Sequence, residues 1–100
     1  AKSMSYKYLH VGKKKKSDLN LVLSHLGQGH FVIAHMGSGH FTSGGHYIVL
    51  GGVDPETRRV YVYDPYNKVN KTYRKTGNGW YSFNDIIVKE AFSFYIIWKG

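Results

Sequence analysis

One hundred residues suffice for one small domain with a single core. At 42% hydrophobic and 16% aromatic the chain is too apolar for a disordered segment, yet runs such as Tyr47–Leu50 are far shorter than a membrane-spanning helix. The lack of cysteine excludes disulfides and thiolate metal sites, and a net charge of +8 favours acidic partners: nucleic acid, anionic glycopolymers or anionic membrane surfaces.

In chain order, Ser5–Val11 alternates weakly and reads as an edge strand. Lys13 to Lys16 form a block of four lysines, a solvated loop at the end of a basic N-terminal arm, residues 1–16, of a single domain 1–100. Ser17 reads as an N-cap with Asp18 in the first turn, where the helix dipole favours an acid. Leu19, Val22, Leu23 and Leu26 then share one helical face, and Gly27 stops the helix, which gives Asp18–Leu26. Phe31 to Ala34 read as a buried strand, broken by Gly37-Ser38-Gly39.

Two strong strands follow, Tyr47–Val53 and Arg58–Tyr63, joined by Asp54-Pro55-Glu56-Thr57, a sequence suited to a type I turn. Lys71–Lys75 is a further candidate strand, and Gly77-Asn78-Gly79 a turn. Ser82, with Asp85 three residues on, opens a second short helix carrying Phe83, Ile86, Ile87 and Ala91. Phe92–Trp98 closes the chain as a strand. The sum predicts an α+β domain, a mostly antiparallel sheet with two short helices.

The chemistry concentrates in Gly39-His40-Phe41-Thr42-Ser43-Gly44-Gly45-His46-Tyr47-Ile48-Val49-Leu50 and in Val60-Tyr61-Val62-Tyr63-Asp64-Pro65. The first puts His46 at the start of a strand; the second puts Asp64 at the end of the next. Simple pairing around the turn sets His46 opposite Pro65. One bulged residue at Gly51-Gly52 shifts the register, so that Leu50 faces Val60, Ile48 faces Val62 and His46 faces Asp64. Opposed side chains lie about 5 Å apart at Cβ, close enough for a carboxylate to fix an imidazole tautomer and stabilise its protonated form.

His25, His30, His35 and His40 recur every five residues, a spacing that sends successive strand side chains to opposite faces. It matches no zinc-helix pattern, and no metal ligand or cofactor is assigned. His25 reads as a solvent-facing helix residue, His30 and His35 as bordering the sheet, and His40 as shaping the loop before His46. Ser43 lies three residues from His46, but neither a strained elbow nor a helix N-terminus supports a serine nucleophile.

These segments, with Val32-Ile33-Ala34-His35-Met36-Gly37 and the late Gly79-Trp80, resemble the C-terminal two thirds of a papain-like cysteine peptidase. The nearest group is the bacteriocin-processing (double-glycine-leader) peptidase-like family. The resemblance implies the C-terminal half of a papain-like fold, with His46 as catalytic base and Asp64 as the acid that orients it. It departs where the family has a nucleophilic cysteine at a helix start and a glutamine upstream, because neither stands ahead of the first helix here. Three functions follow. The first is part of a cysteine peptidase or peptidoglycan hydrolase of bacterial or phage endolysin type. It would act outside the cell or at the wall on peptide or cell-wall peptide, with the cysteine supplied by another segment or chain. The second is a non-catalytic binding or regulatory module, and the third a basic anion- or nucleic-acid-binding domain. No recognised nucleic-acid motif is present, so nucleic acid is not the expected partner. Without the cysteine helix over the sheet, an apolar patch and a homo-oligomer are expected.

Overall fold

A computed structural model describes residues 6–39, 41, 44–63 and 78–99. The elements run β1 (Tyr6–Val11), α1 (Lys16–Gly27), β2 (Phe31–Met36), β3 (His46–Asp54), β4 (Arg59–Tyr63), β5 (Gly79–Ser82), α2 (Phe83–Val88, π-wound) and β6 (Ala91–Lys99). The strands form one sheet in the order β1-β6-β2-β3-β4-β5, with every neighbouring pair antiparallel. This is the α+β class expected from the sequence. β5 was not expected, and Lys71–Lys75 lies outside the described residues.

The buried face follows from alternation. Val32, Ala34 and Met36 pair with Leu50, Ile48 and His46 on one side, and Val32 and Ala34 with Ile96 and Phe94 on the other. Every one of these residues is buried, and Val22 and Leu26 of α1 and Phe83 and Ile87 of α2 join the same core. Each strand side chain of this size removes roughly 1.5–3 kcal/mol worth of apolar surface from water when fully covered. β2 is therefore buried on this face only, not throughout, because Phe31 is 53% exposed.

The other face is covered by no described residue, and it is aromatic. Tyr8, Phe31, Tyr47, Tyr63 and Trp80 are all exposed on it. Its rings pair across strands: His35 stacks on Tyr47 at 4.5 Å, His10 on Tyr95 at 4.4 Å, and Tyr61 meets Trp80 edge-on at 5.4 Å. Gly51 makes room for this packing, since a Cβ there would lie 2.6 Å from the Tyr63 ring and 3.3 Å from that of Phe31.

The helix ends differ from expectation in instructive ways. α1 begins at Lys16, with Lys15 at the N-cap and no side-chain cap, so Ser17 lies inside the first turn. Its C-terminus is a Schellman motif. Gly29 is left-handed at φ 86, its N–H donates to Leu26 O at 3.1 Å, and the His30 N–H donates to His25 O at 3.0 Å. α2 is capped as expected, because the Ser82 hydroxyl accepts from the Asp85 N–H at 3.2 Å. Ser82→Ala should cost about 1 kcal/mol, read as a lower urea midpoint at unchanged slope. An unchanged midpoint would remove the cap from the account of α2. Ala91, expected on this helix, instead opens β6.

Candidate active site

His46 opens β3 directly after Gly44 and Gly45. It is a buried polar residue, on the helix-covered face that it shares with Ile48 and Leu50, and it sits across from Met36. Several segments converge on this end of the sheet. β2 ends there at Met36, which also faces Ala91 at the start of β6, and the Gly37 N–H donates to Glu90 O at 2.7 Å. Phe41 is buried in the loop before His46 and packs edge-on against Tyr81 at 5.1 Å. The lysine block lies at the same end: Val11 faces Phe94, and Lys13 Nζ donates to Lys89 O at 3.2 Å. Gly12, Lys13, Lys14, Lys15, Asp18 and Phe92 line a shallow cavity of about 410 Å³ there.

The β3–β4 hairpin carries the expected bulge but a different register. The pairing shifts between Leu50 and Gly52, which places the bulge at Gly51. Leu50, however, faces Val62 rather than Val60, and Val60 faces Val53. The cause is the loop. Pro55 to Arg58 form a four-residue loop closed by Arg58 N–H donating to Asp54 O at 2.8 Å, with Arg58 left-handed at φ 55. A type I turn over Asp54-Pro55-Glu56-Thr57 leaves a two-residue loop, so the four-residue loop moves the register by two. An even shift keeps every residue on its face, and His46, Ile48, Leu50, Val60 and Val62 are all buried together. The expected pairing of Ile48 with Val62 is thereby corrected. Asp64 itself, like His40 and Ser43, lies outside the described residues; the last described pair is Val49 with Tyr63.

The remaining histidines divide. His35 sits in β2 on the aromatic face, away from His46, between Tyr47 and Phe92. His25 is not solvent-facing as expected. It is half-buried, its Nδ1 lies 2.8 Å from His30 Nδ1, and its ring tilts against Trp98 at 4.8 Å. Burial, and then the neighbouring charge of His30, lower the pKa of His25 below 6.5. A depressed histidine favours the neutral folded state. Its contribution is complete above pH 6.5 and is lost as the pH falls from there through the lower folded value. Urea midpoints should therefore drop between pH 7.5 and 5.5, and His25→Gln should flatten that slope; an unaltered slope would overturn the attribution.

No group of three or more His, Asp or Glu able to hold a metal occurs among the described residues, and no helix among them is long and apolar enough to cross a membrane. No curated protein and no solved structure gives a significant match to the chain. The model of one family does match, over residues 1–88, most of the chain and all of the strand–turn–strand unit that begins at His46. On that match the chain belongs to the peptidase C39-like family, related to the papain-like cysteine peptidases.

Proposed function

We propose that this chain carries the base and the orienting acid of a papain-like cysteine hydrolase, His46 and Asp64, and that another segment or chain supplies the attacking sulfur. The observation that carries the reading is the buried placement of His46 at the start of β3, in a chain of the C39-like family. A thiol beside His46 would lose its proton to the imidazole, and the thiolate would attack a peptide carbonyl. The imidazolium would then return the proton to the departing amine. Asp64 would hold the ring from beyond the end of β4, fixing its tautomer and stabilising its charged form.

Peptide or cell-wall peptide is the proposed substrate, with action at the wall of a bacterial or phage-infected cell. The lysine block supports this, since Lys13 to Lys15 lie at the same end of the sheet as His46 and would hold an acidic wall polymer near it. The aromatic face supports self-association, as it is large and no described residue covers it. The same face, with a chain that lacks cysteine, favours a second reading: a binding or regulatory module that keeps the sheet without the reaction.

Joining a cysteine-bearing N-terminal helix from an active C39-like protein to this chain separates the two readings. Hydrolysis of a peptide or cell-wall substrate that is abolished by a thiol-alkylating reagent is the expected result. Folded fusions that bind such substrates without cleaving them would leave the binding module. Affinity that falls steeply with salt and requires the lysine block would instead mark a simple polyanion-binding domain.

A further inference from the structure

The His25–His30 pair is remote from the proposed chemistry, and it brings two ring nitrogens within 2.8 Å of each other. α1 ends in a Schellman motif in which His25 is the third residue from the helix end and His30 the second residue after the cap. In this motif those two positions usually make an apolar contact. Here both are imidazoles, tied together through the backbone by His30 N–H to His25 O at 3.0 Å and through the side chains at 2.8 Å. Left-handed Gly29 sets the turn, and Trp98 closes one side, 4.8 Å from the His25 ring and 6.1 Å from that of His30. Two ligands are thus held in place before any ion arrives. The rule that a spacing of five separates side chains holds for a strand; it fails across a helix end.

We propose that His25 and His30 bind a divalent late transition-metal ion through both Nδ1 atoms, Cu(II) most tightly. Two metal–nitrogen bonds of about 2.0 Å span about 2.8–3.3 Å between the nitrogens, so the two rings need only a small reorientation to share one ion. Cu(II) is favoured over Zn(II) and Ni(II) because it stands highest in the affinity order of divalent first-row metals at nitrogen donors. In the metal-free chain the 2.8 Å separation holds one Nδ1–H donating to the other Nδ1. The donor ring moves its proton to Nε2 through solvent when the ion enters, so both rings bind as neutral imidazoles. Water completes the coordination.

Trp98 supplies the readout, because bound Cu(II) quenches a nearby indole. In a Trp80→Phe background Trp98 is the single tryptophan. Chelator-stripped protein should then show saturable 1:1 quenching by CuCl₂ at pH 7.5. His25→Gln and His30→Gln should each weaken the apparent affinity about tenfold or more, a loss of at least about 1.4 kcal/mol. His35→Gln, on the opposite face of the sheet, should leave it unchanged. Electron paramagnetic resonance should show two coupled imidazole nitrogens, and one in either single variant. Because a glutamine variant can perturb the helix end, imidazole nuclear magnetic resonance of the unaltered chain serves as the second measurement. The first increments of Cu(II) should broaden His25 and His30 before His10, His35 or His46. Unsaturable quenching, equal affinity in all three glutamine variants, or first broadening at another histidine would overturn the site.

Discussion

Phe94→Ala should lower the stability of the chain by about 3–5 kcal/mol, a large share of what a small domain holds. Phe94 is fully buried in β6, the strand between β1 and β2, where it faces Val11 on one side and Ala34 on the other. The small Ala34 leaves the space that the ring fills, and Phe83 of α2 lies against it at 5.9 Å. Truncation removes the ring from both layers at once. Neither neighbouring strand can collapse into the void without breaking a ladder, so the cavity penalty adds to the lost transfer energy. Buried Phe→Ala changes cost about 3–5 kcal/mol, and small domains hold only about 5–15 kcal/mol in all. Phe92→Ala is the control. Its ring is 61% exposed, so the change should stay within about 0.5 kcal/mol. Urea unfolding followed by circular dichroism checks both. Equal losses at the two positions would mean that the aromatic face, not the helix-covered face, carries the core.

The sequence revealed most of this architecture because its strands alternate and its breaks are chemically sharp. Ile48 and Leu50, then Val60 and Val62, announced one buried face, and Ser82 with Asp85 announced a cap, as found. What stayed hidden depended on single backbone conformations. Arg58 in the left-handed region lengthens the hairpin loop, and no rule about residue type demands that of an arginine. The same holds at α1, where the lysine block gave no cap residue and the helix begins two residues earlier than the Ser17 signal implies. β5 was obscured because Gly79 and Trp80 read as turn and helix approach; Trp80 in fact lies beside Tyr61 on the open face. The aromatic face is not among the features read from the sequence. Its residues, Tyr8, Phe31, Tyr47, Tyr63 and Trp80, occupy the out-pointing positions of their strands, where polar side chains normally stand. That departure was visible in the alternation. The His25–His30 pair is hidden in the sequence because one histidine reads as helical and the other as bordering the sheet, and only the turn at Gly-Gln-Gly brings them together.

His46→Ala should lower kcat/KM about 10⁴-fold in a fusion that carries the cysteine helix, while leaving the fold in place. The asymmetry follows from where the residue stands. It lies at the first position of β3, beside Gly44-Gly45, and not at the centre of the sheet where Ile48 and Leu50 hold the core. Alanine there forfeits the proton acceptor and the packing of one buried ring at the end of the strand, so the thermal midpoint should fall by several degrees while the chain stays folded. Asp64→Asn tests the second role. An amide can still hold the ring, but it neither favours the correct tautomer nor stabilises the imidazolium, so the rate should fall by about 10²–10⁴-fold with KM nearly unchanged. The double variant decides whether the two act as a unit. If Asp64 works only through His46, the double variant should be no slower than His46→Ala alone. Additive losses would place Asp64 elsewhere in the reaction, and full activity in His46→Ala would end the assignment of this histidine as the base.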